Sequence, residues 1–193
     1  MLAPGVAHAA YPQDKPAALA AAPSVAPAAG FGAKFLEEIA YYEKRYTSLA
    51  EPMPAEKCPW RPLGGVRPVG EVFTPIAAKY GVARALGTAP PAGLDFKSIM
   101  ALSRDKPKVI QALRDSFAHF RNAVIALKGE DADKPQKMFN RQTTLRGSFI
   151  AITGPFGEHL GQSIAYARVN GVVPPWTEGF NQPPRKPAEK PKP

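Results

Sequence analysis

An all-α fold, specifically a four-helix bundle, is what this 193-residue chain predicts. Three observations carry the prediction. Four segments repeat apolar residues every three or four positions, the period of a helix with one buried face. No segment sustains the two-residue alternation of a half-buried strand, and no tight hairpin pattern is evident. Connectors at about 52–68 and 88–104 separate the segments and leave room for a crossover topology. Helices with single apolar stripes bury them best against one another.

The first helix is expected from about Ala33 to Leu49, where Phe35, Ile39, Tyr42, Tyr46 and Leu49 form one stripe. Pro52 and Pro54 end it. The second spans about Val69 to Leu86, with Val69, Phe73, Ile76, Tyr80 and Ala83 at similar spacing and Gly87 as its C-cap. The third, about Lys106 to Leu127, has the cleanest period, through Ile110, Leu113, Phe117, Phe120, Val124 and Leu127. The fourth spans about Thr143 to Asn170 and carries Leu145, Phe149, Ile152, Phe156, Leu160 and Ile164. Asn170-Gly171 supplies a left-handed cap and Pro174-Pro175 forbids continuation.

Residues 1–32 are rich in alanine and proline, and the end of the chain alternates proline with lysine and arginine. Neither stretch carries enough apolar surface to offset its ordering entropy, so 1–32 and 177–193 read as disordered tails. Residues 33–176 remain as one domain, long enough for a single packed core.

The formal charge of +9 raises the question of an anionic partner. Arg185, Lys186, Lys190 and Lys192 against Glu189 place +3 of it in the C-terminal tail, and the rest is interleaved with acidic residues. That distribution argues for a solvated surface over a nucleic-acid footprint. A binder acting through its tail would instead show salt-dependent affinity lost on deleting residues 183–193.

Cys58 is the only cysteine, which excludes an intramolecular disulfide and a cysteine-based zinc motif. Lys57 is a neighbouring cation, but no histidine lies close in sequence, so a catalytic thiolate is the minor reading. No apolar run approaches the ~20 residues that cross a bilayer. Ala7-His8-Ala9-Ala10 resembles an export cleavage site, although only Met1 to Val6 precede it. A periplasmic or exported location and a cytoplasmic one both stay open.

The run Glu158-His159-Leu160-Gly161-Gln162, continued by Tyr166-Ala167-Arg168-Val169-Asn170-Gly171-Val172-Val173-Pro174-Pro175, resembles the final helix of the DinB/YfiT-like family. Trp60-Arg61-Pro62 with Val66 to Phe73, and Lys106-Pro107-Lys108-Val109-Ile110-Gln111-Ala112-Leu113, are similar to other parts of that family. The resemblance covers about residues 33–176. It implies a four-helix bundle with a divalent metal, often nickel or zinc, held by three histidines. One lies on helix two and two lie four residues apart on helix four, where they share a face. An open coordination position would hold water or a substrate sulfur.

At the three implied positions this chain has Pro75, Pro155 and His159. Proline has no ligand atom, so the metal ligand that survives is His159 alone. Each proline also removes a helical hydrogen bond, and a kink or restart is expected at both, with Thr74 and Thr153 as caps and the two sites at one depth in the bundle. His119, beside the Phe117/Phe120 stripe, and an acidic residue are the candidates for a rebuilt site. His8 lies in the tail, and Glu158 points about 100° away from His159 on a helix. Gln162 and Tyr166 are expected to line the same pocket or complete its packing, and Arg168 to pair with an acidic surface residue.

Two functions follow as expectations. One is a binding or structural protein with a degenerate metal site, its bundle pocket open to a small molecule. The other is a metal-dependent hydrolase or thiol-conjugating transferase with a site rearranged around His159. A homodimer is compatible with a bundle, but the sequence assigns no exposed stripe to it.

Overall fold

The computed structural model describes residues 30–78, 95–138 and 140–177. They are mostly helical, with one small two-stranded sheet. The helices are α1 (Gly30–Ala50), α2 (Val69–Ala77), α3 (Phe96–Ala101), α4 (Lys106–Ile125) and α5 (Leu145–Val169). Strands β1 (Pro135–Met138) and β2 (Arg141–Thr144) form an antiparallel hairpin before α5. The tails at 1–29 and 178–193, the expected end of helix two with Gly87, and much of the second connector lie outside the described residues.

Helices α1 and α2 each pack against both α4 and α5. The stripes read from the sequence supply the contacts: Phe35, Ile39, Tyr46 and Leu49 of α1 are buried with Phe73 and Ile76 of α2. Phe117 and Phe120 of α4 meet Phe156 and Phe149 of α5, with ring centroids 5.6 and 6.1 Å apart. Offset and edge-to-face rings at such separations add to the gain from burial. Helix α1 starts at Gly30, before the expected Ala33, because Phe31 finds partners: its ring packs on Phe35 and Phe149.

Local chemistry sets the helix ends. The Asp105 carboxylate accepts from the Lys108 N–H at 3.2 Å and caps α4. Asp95 and Ser98 form a reciprocal capping box on α3, a short helix inside a stretch expected to be connector. Thr144 caps α5 by accepting from Gly147 N–H at 3.1 Å. At the far end Gly171 takes φ +78°, as its position after the helix requires, and Val172 N–H returns to the Ala167 carbonyl at 2.8 Å.

Three expectations are corrected. A hairpin is present where no strand signal was read, because β1 and β2 are short and polar and lack a buried alternating face. Asn140, at φ 63°, supplies its left-handed turn residue. Both prolines lie inside continuous helix rather than at restarts. Neither threonine caps: Thr153 Oγ1 donates back to the Ile150 carbonyl at 2.7 Å, and Thr74 Oγ1 meets Met100 Sδ at 3.1 Å.

The continuity at Pro155 has a local cause. Gly154 offers no Cβ to the proline ring, the clash that normally drives a preceding residue out of helix. The carbonyl that Pro155 leaves without its N–H belongs to Ala151, an exposed residue, so solvent can satisfy it. Pro75 stands near the end of a nine-residue helix, where few bonds depend on it.

Candidate functional site

The three implied ligand positions, 75, 155 and 159, fall on α2 and α5, which pack together. Pro75 is buried and Pro155 half-buried. His159, one turn beyond Pro155, is half-buried, with Nδ1 enclosed and its carbonyl accepting from Ser163 Oγ at 2.8 Å. Glu158 is exposed, in keeping with its direction on the helix.

Tyr46 of α1 touches both proline-bearing segments. Its hydroxyl donates to the carbonyl of Phe156, next to Pro155, at 2.6 Å. Its ring lies 6.3 Å from that of Phe73, two residues before Pro75. The side chain is fully buried, and burial pushes the phenol far above its ordinary range, with Tyr42 adding to the shift. Tyr46 is therefore a neutral hydrogen-bond donor at any working pH. Tyr42 packs on the Phe156 ring at 5.2 Å, and its phenol is also raised, by burial first and then by the Glu38 carboxylate.

Gln162 and Tyr166 do come together: Gln162 Nε2 donates to Tyr166 Oη at 3.2 Å. Tyr166 is buried and edge-on to Trp60, at 5.6 Å and 90°. This contact ties the Trp60-Arg61-Pro62 connector to α5. Arg168 is exposed, and no ion pair among the described residues includes it. His119 is half-buried on α4, and burial pushes its imidazole pKa down, favouring the neutral ring.

A three-histidine metal centre does not fit this set. Two of its implied positions carry saturated rings with no donor atom. Among the described residues no three His, Cys, Asp or Glu side chains converge to hold a metal ion. A scan of protein-family models, a search of curated proteins and a search of solved structures each find no match to this chain.

A cavity of about 10 Å³ lies between α1, α2 and α4, lined by Met53, Cys58, Val69, Phe73, Lys106 and Val109 among others. It has room for about one water molecule. Cys58 is buried there, and burial pushes its thiol up although the Lys106 ammonium draws it down. A thiol held protonated is a poor nucleophile. No helix among the described residues is long and apolar enough to cross a membrane.

Two residues with clear structural roles went unnoticed in the sequence. Tyr46 was read only as part of the stripe, and nothing in its spacing marks the Phe156 carbonyl as its acceptor. Gly70 looks like one glycine among many. A Cβ there would fall 1.7 Å from the Ser103 carbonyl oxygen, in the 3₁₀ turn Leu102–Arg104 that crosses the start of α2.

Proposed function

We propose that this chain is a DinB-like four-helix bundle whose metal centre has degenerated, and that it serves a binding or structural role. The packing of α1 and α2 against both α4 and α5 supports the bundle reading. The observation that carries the functional reading is proline at positions 75 and 155, beside a tyrosine that bonds the Phe156 carbonyl. One imidazole, that of His159, holds a divalent ion weakly in competition with water, whereas stable sites use three or four protein ligands. The hydrolase or transferase reading needs further ligands around His159, and among the described residues no three His, Cys, Asp or Glu side chains converge to hold a metal ion.

The test is to restore the ligands, Pro75→His with Pro155→His, and to measure nickel and zinc uptake by the folded variant and the parent chain. Stoichiometric uptake by the variant alone supports lost ligands in a retained pocket. A folded variant that takes up no metal argues against these positions as ancestral ligand sites.

A further inference from the structure

One end of the bundle presents apolar side chains and arginines together on two adjoining turns. The connector after α1 folds back on itself there. The Trp60 carbonyl accepts from the Val69 N–H at 2.9 Å, and the Cys58 carbonyl accepts from the Gly70 N–H at 3.0 Å. These bonds root a loop in which every residue from Arg61 to Gly65 is exposed, and Gly65 turns it at φ +83°. Leu63 keeps 70 % of its surface in solvent, more than any other large apolar residue described. Arg61 and Arg67 flank it, both exposed, and no ion pair among the described residues includes either. The loop holds no acidic residue; Glu56 and Glu71 stand outside its root.

The second turn closes α5. Trp60 packs on Tyr166, so the root of the loop adjoins the last turn of that helix. Beyond Tyr166 the chain exposes Arg168, Val169 and Val173, before Trp176 returns to Arg45 of α1 at 4.3 Å. Three of the six large apolar residues that the described fold leaves exposed, Leu63, Val169 and Val173, thus share this end. Scattered singly such residues mean little, but gathered among cations they mark an interaction surface. Backbone bonds and ring contacts hold both turns from behind, so they meet a partner without first being ordered.

We propose that this end of the bundle docks on an anionic lipid surface. Leu63 and the two valines enter the headgroup layer, and the arginines meet its phosphate and carboxylate groups. Charge argues for that occupant: the chain carries +9, and Arg61, Arg67 and Arg168 enter no ion pair among the described residues. Each cation at a negatively charged leaflet strengthens binding about fivefold. The apolar groups argue for lipid over nucleic acid. Leucine and valine donate no hydrogen bond and offer no ring on which a base could stack, so a nucleic acid would leave them unused. A lipid interface takes both the charges and the aliphatic groups.

Flotation of the full chain with phosphatidylcholine vesicles, with and without phosphatidylserine, tests the proposal. Binding is expected on the anionic vesicles and should weaken as salt is raised. Leu63→Ser leaves the charge unchanged and should weaken binding about tenfold. Arg61→Gln with Arg67→Gln should weaken it by about tenfold or more. Ile150→Ser, near the opposite end of α5 and also 61 % exposed, should leave binding unchanged. All these side chains are exposed, so the variants should keep the circular dichroism spectrum of the parent. A parent chain that ignores anionic vesicles overturns the proposal. Binding indifferent to Leu63→Ser overturns it as well, and its loss on deleting residues 183–193 would then assign the contact to the basic tail.

Discussion

The Tyr46 hydroxyl donates a 2.6 Å hydrogen bond to the carbonyl of Phe156, fastening α1 to the turn of α5 that follows Pro155. The same ring reaches Phe73 on α2 and lies 6.1 Å from Phe117 on α4. One side chain of α1 thus touches α2, α4 and α5. A donor in this position gives the proline-bearing helix an extra buried anchor.

Removing that anchor should be costly although the change is a single atom. Tyr46→Phe is expected to lower stability by about 1–2 kcal/mol, a buried hydrogen bond lost with no compensating water. Urea unfolding followed by circular dichroism measures it. A change within error would mean that the Phe156 carbonyl is adequately served by its own helix.

Gly70 is tested by adding one methyl group. Gly70→Ala places carbon against the Ser103 backbone and should cost about 2–3 kcal/mol, with displacement of the 102–104 turn. Gly64→Ala, where a Cβ meets nothing within 4 Å, should stay within about 0.5 kcal/mol of the parent. Equal effects from both would refute the close approach.

Pro155→Ala should stabilise the chain by about 1–2 kcal/mol, since it restores the N–H facing the Ala151 carbonyl. Gly154 and the exposure of Ala151 soften the proline's effect, so the gain falls below the full penalty of an interior proline. A loss of stability would show that the surrounding core depends on the proline geometry.

The caps predict an acid limb of the stability curve. Asp105 is held below the usual carboxylate range by its hydrogen bonds to the Lys108 side chain and backbone. Asp95 is held below it by the backbone and side chain of Ser98. A carboxylate with a depressed folded pKa stabilises the fold above its unfolded pKa, and loses that contribution as pH falls through the folded value. Asp105→Ala and Asp95→Ala should therefore melt below the parent at neutral pH and converge with it in acid. A melting difference independent of pH would contradict the assigned cause.

Much of this fold was legible because its core follows a helical period. Phe35, Ile39, Tyr46, Phe117, Phe120, Phe149 and Phe156 are all buried, and Gly171 takes the backbone angle its place after α5 demands. The hairpin was not legible, because Pro135–Met138 and Arg141–Thr144 carry no apolar alternation and owe their pairing to the turn and to α5 beside them. The passage of helix through Pro155 depends on which face Ala151 presents, and a local rule about proline has no access to that. At the candidate site, Gln162 and Tyr166 were expected to line one pocket or complete its packing, and the structure joins them by a hydrogen bond. The Tyr46–Phe156 bond spans 110 residues and leaves no local trace.

The central claim is that the three-histidine centre implied by the resemblance is not assembled here, since proline stands at two of its three positions. Elemental analysis of tag-free protein, parent and His159→Ala, tests it most directly. The account predicts no nickel, zinc or iron at stoichiometric level in either. Stoichiometric metal in the parent that disappears in His159→Ala would contradict it.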